Sequence, residues 1–234
     1  MVDTDEFQIY YIFILIFYTI IIYWNLKKID FTKLQYYLIP IILYIGYSVG
    51  DLLSGVYHYF MDTYDLKILK DYHKYFRAHH TNPLSMEKYP MLTTVVEIMP
   101  IGIIIGLIAQ HYITSTPLLA TIIIINLVVC SSQFVHRMAH RRNHEYDKNG
   151  NKKFHIPKFI KFLQDNNIIL NNKEHRKHHV TEVMNYCIAN GSTSQILDNI
   201  IDSLDMPLSS YKNSNNIHKK ISVSDKYKII DKYL

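Results

Sequence analysis

Long runs without a charged residue alternate with polar segments along this chain. Residues 7–26 and 34–50 carry no Asp, Glu, Lys or Arg, and residues 98–135 carry none over 38 positions. A helix needs about 20 predominantly apolar residues to cross the bilayer core. The third run is long enough for two helices, because residues 114–117 (Thr-Ser-Thr-Pro) can form the turn between them. The pattern therefore predicts a mainly helical, all-α membrane protein with four spans, at about 7–26, 34–59, 91–112 and 117–135.

There are two alternatives to four membrane spans, and they are not equally well supported. Charge-free runs of this length disfavour the buried helices of a soluble protein. A re-entrant segment in place of one span is the closer alternative.

The segments outside the spans predict a simpler organisation. Residues 141–153 are polar and basic and predict a loop, whereas the apolar periodicity of residues 157–170 predicts a helix on the membrane surface. From residue 209 onward the chain is polar, which predicts a loose tail with a short final helix. We expect three parts: an N-terminal span with a short loop (1–33), a main domain (34–205) and a polar C-terminal tail (206–234).

The distribution of charge predicts an orientation. The chain has 25 Lys and Arg against 20 Asp and Glu, a formal charge of +5. With four spans, both termini and residues 60–90 share one side, which is more basic than the other, so we expect that side to be cytoplasmic. The modest basic excess does not indicate a nucleic-acid partner. Cys130 and Cys187 provide neither a disulfide framework nor a cysteine-based zinc site.

Histidine is dense in this chain, at 13 of 234 residues. Eight histidines follow or end the predicted spans on the same side: His58, His79, His80, His136, His140, His175, His178 and His179. Because the spans were placed from charge-free runs alone, this agreement is an independent test of the topology. The other five are not assigned to a site: His73, His111, His144, His155 and His218.

The spacing of these histidines indicates a metal centre. His136 and His140 are four apart, and His175, His178 and His179 are spaced by three and four, so each group lies on one face of a helix. Eight imidazoles are enough for two metal ions and exceed the ligands of one tetrahedral zinc. This number of ligands favours iron over zinc. It does not decide between the two metals, because imidazole is a good ligand for both.

An acidic residue accompanies the first histidine. Asp62 lies four residues after His58. Metal-bound histidines usually donate their other N–H to a carboxylate or a carbonyl, so Asp62 could orient His58 or bind the metal itself. The alternative is an acid at a helix end that contacts water.

Four stretches of the chain resemble motifs of one known family. Residues 50–62 (GDLLSGVYHYFMD) resemble the D-x-x-S-G-x-x-H-W-x-x-D element of the Kua-type lipid desaturases. Residues 76–83 (FRAHHTNP) resemble F-R-x-H-H-x-x-P, and residues 136–140 (HRMAH) resemble H-K-W-[SA]-H. Residues 157–191, with the run KEHRKHHV, are nearly in step with the family. The resemblance covers about residues 46–200, with the motifs in the family's order.

This resemblance implies an O₂-dependent lipid desaturase, in which the eight histidines named above hold two iron ions. The family includes enzymes that make the vinyl ether of plasmalogens and enzymes that place a trans double bond in the acyl chain of phosphatidylglycerol. They receive electrons from an external carrier, cytochrome b5 or ferredoxin respectively. We expect the ether-lipid branch here, with a cytochrome b5-like donor in the endoplasmic reticulum. The acidic, Arg-free start of the chain also disfavours a plastid transit peptide.

The sequence departs from the family at a few positions. Tyr59 stands where the family usually has Trp, and Arg137 and Met138 replace Lys and Trp. Asn167 and Glu174 stand where many members carry additional histidines. Glu174 could instead supply a carboxylate ligand. If the missing histidines are essential, activity is in doubt.

Two other functions are compatible with the same residues. A lipid hydroxylase would use the same centre but add oxygen to the carbon. A non-enzymatic membrane protein that carries metal is the more distant alternative.

Overall fold

A computed structural model describes residues 4–64, 70–145, 149 and 154–207 of the chain. Every regular element in these ranges is helical, and they contain no strand. Four helical stretches are long and apolar enough to cross a membrane: Gln8–Lys28, Tyr36–Thr63, Met91–Tyr112 and Thr116–Arg142. The predicted all-α membrane protein with four spans is therefore confirmed. The predicted tail lies almost entirely outside the described residues, as does much of the 141–153 loop.

The described residues form nine α-helices, with short 3₁₀ turns before the second and the fourth. They are α1 Thr4–Lys28, α2 Ile39–Thr63, α3 Lys70–Thr81, α4 Met91–Val96, α5 Met99–Tyr112, α6 Thr116–Asn143, α7 Lys158–Asp165, α8 Asn172–Thr181 and α9 Ser194–Ser203.

The chain forms two compact units. The first comprises Met1–Asp51 and Glu87–Phe134, and the second comprises Leu52–Met86 and Val135–Leu234. Helices α2 and α6 contribute residues to both.

Polar side chains join the helices of the first unit where they are buried. The amide of Asn126 on α6 donates to the carbonyl of Gly102 on α5 at 2.8 Å and accepts from the hydroxyl of Tyr18 on α1 at 3.2 Å. The amide of Asn25 on α1 donates to the carbonyl of Gly106 at 3.0 Å. In a membrane such groups must be satisfied within the protein, and small residues allow the helices to approach closely enough.

Replacing Gly102 with valine should destabilise this unit. A Cβ at Gly102 would lie 2.4 Å from Cys130 Sγ and 2.6 Å from Asn126 Oδ1, closer than any real Cβ contact. We expect overpacking to cost about 1–3 kcal/mol, seen as a lower midpoint of thermal unfolding in detergent. The matched control is Ile104→Val on the same helix, at a side chain that is 58% exposed. Equal midpoints for the two variants would contradict this packing.

The third span is interrupted, which the charge-free pattern did not predict. Helix α4 ends at Val96 and α5 begins at Met99, with Pro100 in its first turn. A proline ring collides with the carbonyl four residues earlier, which here belongs to Val96, and proline has no N–H to continue the helix. The break at residues 97–98 therefore follows from Pro100.

The helices also extend beyond the charge-free runs. Helix α2 continues to Thr63 rather than to residue 59, and α6 continues to Asn143 rather than to 135. The expectation of a loop from residue 141 was therefore wrong for residues 141–143, where basic side chains are compatible with the end of a helix. The predicted surface helix at 157–170 is present only over Lys158–Asp165.

Candidate metal centre

Two clusters of metal-ligating side chains lie in the second unit. The five-histidine cluster consists of His79, His136, His140, His175 and His179. The mixed cluster consists of His58, Asp62, His80 and His178. Within each cluster the ligand atoms, one from each residue, all lie within 4.8 Å of one another. The structure thus brings together all eight histidines and the aspartate that the sequence analysis singled out.

Most of these side chains lie on helices that direct them towards the two clusters. Helix α6 carries His136 and His140, and α8 carries the three histidines between residues 175 and 179. Helix α8 begins at a defined position because the side chain of Asn171 accepts a hydrogen bond from the backbone N–H of Glu174 at 2.8 Å. Such a cap satisfies one of the free N–H groups of the first turn. The start of α8 therefore sets which residues face the cluster.

Three imidazoles of the five-histidine cluster form a nearly equilateral triangle. The Nε2–Nε2 distances are 3.0 Å for His136–His175, 3.2 Å for His136–His140 and 2.9 Å for His140–His175. An imidazole nitrogen either donates or accepts a hydrogen bond. Among three nitrogens that all face one another, at least two must therefore both be donors or both be acceptors, and such a pair cannot form a hydrogen bond. Hydrogen bonding alone leaves this arrangement unsatisfied, whereas a shared cation satisfies all three lone pairs.

The size of the triangle fits a metal ion. Imidazole nitrogens bind zinc at about 2.0–2.1 Å, so two ligands at right angles would be about 3.0 Å apart. The three measured distances lie between 2.9 and 3.2 Å. Nε2 of His179 lies 2.8 Å from that of His175 and adds a further ligand. A cluster of five imidazoles exceeds the four ligands of a structural zinc site.

The mixed cluster is organised around the carboxylate of Asp62. Its Oδ1 lies 3.0 Å from Nε2 of His80, and its Oδ2 lies 3.3 Å from Nε2 of His58 and 3.2 Å from Nε2 of His178. The Asp62 side chain is almost completely buried. A buried carboxylate is costly unless it is paired or binds a metal. Asp62 is therefore not the solvated helix-end acid of the alternative interpretation, and its carboxylate lies where it could bind a metal ion or orient the three histidines.

Backbone carbonyls orient three of the imidazoles. Nδ1 of His58 lies 3.0 Å from the carbonyl oxygen of Tyr186, and Nδ1 of His178 lies 2.8 Å from that of Met184. Nδ1 of His79 contacts the carbonyl oxygen of Phe76 in the same way. A donor at Nδ1 leaves the Nε2 lone pair free for a metal. These carbonyls could not be identified from the sequence, because a backbone carbonyl carries no side-chain signal.

Several ligand atoms are buried without a hydrogen-bond partner. Nε2 of His79 is one of them. Nε2 of His58, Nε2 of His178 and Oδ2 of Asp62 are others, and the two nitrogens lie 3.3 and 3.2 Å from Oδ2 without forming a hydrogen bond. Buried polar atoms are rarely left unsatisfied in native proteins, and an ion is one of the recognised reasons. The donor set and its orphaned atoms fit two metal ions, one for each cluster.

Burial also holds three of the imidazoles outside the membrane spans in the form that binds metal. Desolvation, reinforced by the neighbouring histidines, lowers the pKa of His79, His175 and His179 well below the usual range. These side chains are therefore neutral at physiological pH. A histidine must be neutral to bind a metal ion.

Among the remaining residues considered in the sequence analysis, those whose side chains the structure describes do not join either cluster. His144 is half-buried and its Nδ1 lies 3.0 Å from the carbonyl oxygen of His140, while His155 and His111 are exposed. The side chain of His73 and all of His218 lie outside the described part of the chain. Asn167 accepts from the amide of Asn171 at 2.5 Å.

Replacing Glu174 with glutamine should leave the metal content unchanged. Its carboxylate accepts from Nζ of Lys177 at 2.7 and 2.9 Å and belongs to neither cluster. This partly exposed ion pair joins residues three apart on one helix and contributes about 0–1 kcal/mol, so stability should also change little. Elemental analysis of the purified variant checks the prediction. The loss of an ion would show that Glu174 is a ligand in place of the histidine that many family members carry there.

Comparison with known proteins agrees with this geometry. A family model described as a lipid desaturase domain matches residues 47–204. The chain is similar to fatty acid desaturase 4-like 1, chloroplastic, of Arabidopsis thaliana, with 27% identity over 179 residues that cover 70% of this chain and 55% of the relative. It is also similar to fatty acid desaturase 4, chloroplastic, of the same plant, with 24% identity over 177 residues that cover 70% of this chain and 49% of the relative.

The chain spans about half the length of these curated relatives. No solved structure matches the chain. The family model, however, covers most of the chain and includes both metal-ligating clusters. This chain belongs to the Kua-type lipid desaturase family.

Proposed function

We propose that this protein is an O₂-dependent membrane lipid desaturase with two iron ions, one in each cluster. The observation that carries the proposal is that nine residues able to bind metal, seven of them buried, form two groups that each match the size of a metal site, in a chain that spans the membrane. When bound, a pair of iron ions supplies the oxidising power that takes two hydrogens from an unactivated alkyl chain with O₂.

The chain's own residues have three tasks in this proposal. The eight histidines and Asp62 hold the ions. The backbone carbonyls behind His58, His79 and His178 fix the ring orientations. Burial of the ligand residues excludes water, which limits side reactions at an oxidising centre. No separate nucleophile or general acid is required.

The ligand set favours iron over zinc. Structural zinc sites are closed at four ligands, and catalytic zinc keeps three protein ligands. Five imidazoles in one cluster and three imidazoles with a carboxylate in the other suit an ion of higher coordination number. Imidazole and carboxylate together are also a common ligand set for non-heme iron.

We propose an ether phospholipid as the substrate, with the vinyl ether of a plasmalogen as the product. The support for this choice is the resemblance of the four motifs to the family that makes this group. A second candidate is the acyl chain of a phospholipid, and a specific observation favours it: the two relatives described above are named fatty acid desaturases. The reaction is the same in both cases, because two hydrogens leave adjacent carbons.

The remaining parts of the proposal concern the surroundings of the enzyme. Electrons would come from a cytochrome b5-like carrier, since desaturation with O₂ consumes two electrons beyond those of the substrate. The basic excess of the histidine-bearing side supports a cytoplasmic location for that face and for both termini, in the membrane of the endoplasmic reticulum. The division into residues 1–33, 34–205 as the desaturase domain and 206–234 also remains a proposal.

Expression of the chain in plasmalogen-deficient cells, followed by lipid mass spectrometry, tests this function. We expect vinyl ether lipids with the wild type and none with His178→Ala, which removes one ligand of the mixed cluster. A new acyl double bond would instead establish the second candidate. A product heavier by one oxygen would identify a hydroxylase, and an iron-loaded protein that changes no lipid would contradict the proposal.

A further inference from the structure

Helix α9 exposes an apolar strip although it belongs to a folded unit. Ile196, Ile200 and Leu204 are spaced by four residues and are 54%, 41% and 67% exposed. With Asn199 and Ser203 they line a shallow groove of about 420 Å³. The opposite face of the helix is buried. Such a division is typical of a helix that contacts protein on one side and its surroundings, either lipid or water, on the other.

The buried face of α9 fixes its position along a membrane span. Leu197 and Ile201 pack in one cluster with Tyr59 of α2, and Leu52 packs against the same cluster. A Cβ at Gly55 would lie only 2.8 Å from Cδ2 of Leu197, so α9 lies directly against α2 at this glycine. Helix α9 is therefore level with residues 52–59 of α2.

This level lies at the edge of the hydrocarbon core or inside it. The span Tyr36–Thr63 has 28 residues and rises about 42 Å, against about 30 Å of hydrocarbon. At most about 12 Å of the helix can then extend beyond the core at its C-terminal end. Gly55 lies eight residues, about 12 Å, before Thr63. Tilting of the span would move Gly55 further into the core.

The surface of α2 at the same level supports the presence of lipid. Leu53, Val56 and Phe60 are spaced as one helix face, and all three are exposed. An exposed apolar stripe on a membrane span contacts acyl chains. Because this stripe continues to Phe60, beyond the level of Gly55, it supports contact with lipid at the depth at which α9 lies.

We propose that α9 binds bilayer phospholipid, with an acyl chain along Ile196, Ile200 and Leu204 and the more polar glycerol region next to Asn199 and Ser203. The helix is an interfacial element of the membrane and does not dock a soluble partner. This inference rests on the membrane insertion of α2 and is independent of the proposed catalytic activity.

The position of α9 gives this lipid surface a relation to the metal centre. Leu197 and Ile201 pack with Tyr186, whose ring centroid lies 5.0 Å from that of His178 in the mixed cluster. One aromatic layer therefore separates the buried face of α9 from a metal-ligating histidine. A lipid held on α9 lies beside the wall of the metal centre.

Fluorescence quenching in vesicles tests the proposal, because the chain has a single tryptophan, Trp24. In a Trp24→Phe background, Ile200→Trp places a reporter in the groove and Ile196→Trp provides a second one. Arg176→Trp, at an exposed position of α8, is the aqueous control, and native Trp24 on α1 is the reference within a span. The probes are phosphatidylcholine with brominated acyl chains and water-soluble acrylamide.

We expect both groove reporters to lose most of their emission to the brominated lipid, as Trp24 does, and to be protected from acrylamide. The Arg176→Trp control should show the reverse. Groove reporters that behave like this control would overturn the proposal, since α9 would then face water. Protection from both quenchers would also overturn it, because α9 would then be covered by protein.

Discussion

Replacing His175 with alanine should abolish product formation and remove the metal ion of the five-histidine cluster. Nε2 of His175 lies within 3.0 Å of the corresponding atoms of His136, His140 and His179. Replacing an outer partner, a residue that only hydrogen-bonds to a metal ligand, already lowers metal affinity or activity by about 10–100-fold. Loss of the ligand itself should therefore lower metal affinity and activity by more than about 100-fold. The remaining imidazoles would also face a buried cavity without their central partner.

The matched control is Arg176→Ala, at the exposed neighbour on the same helix. It should retain both the metal and the product. Lipid mass spectrometry and elemental analysis of the two variants, prepared side by side, check this prediction. A His175→Ala protein that is folded and retains more than about a tenth of the wild-type product would contradict the assigned role, since that loss is smaller than for an outer partner.

Replacing Asp62 with asparagine should empty the mixed cluster while the five-histidine cluster keeps its ion. The side chain keeps its size but loses the charge that lies 3.0–3.3 Å from Nε2 of His58, His80 and His178. Breaking a buried charge interaction by removing one partner costs about 3–5 kcal/mol, which corresponds to more than a hundredfold in affinity. The expected metal content therefore falls from two ions per chain to one, and product formation stops.

Asp165→Asn serves as the control for this second variant. Asp165 carries a carboxylate of the same length in an exposed ion pair with Arg142 at 3.1 Å, so its loss should change neither metal content nor activity. Two ions in purified Asp62→Asn protein would show that the carboxylate only orients histidines. Loss of both ions would show that the clusters bind metal as one unit.

The membrane spans and the histidine clusters could be predicted from sequence because both are local patterns. A charge-free run of sufficient length has few structures open to it, and the spacing of His136–His140 and of the α8 histidines already places each group on one face. The structure then brings the groups together, as the resemblance also implied.

Other features depend on contacts between distant residues and could not be predicted in this way. The spacing of Asp62 from His58 indicated a partner for one histidine, but the contacts with His80 and His178 arise from the meeting of three helices. The carbonyls of Met184 and Tyr186 orient imidazoles without any side-chain signal. The exposed apolar strip of helix α9 was not identified, because which face of α9 is exposed depends on its packing against α2.

The interruption of the third span is a local feature that was missed. Hydropathy averages over a window and does not register a proline, whereas Pro100 acts on the carbonyl of Val96 through sterics alone. A rule that places a break before an internal proline would have found it.

The iron content of the purified wild-type chain tests the two-iron account most directly. Elemental analysis of protein purified from iron-replete cells, with protein quantified independently, should give two iron ions per chain and little zinc. One ion per chain would contradict the division into two metal-binding clusters. Zinc in place of iron would contradict the proposed oxidative chemistry.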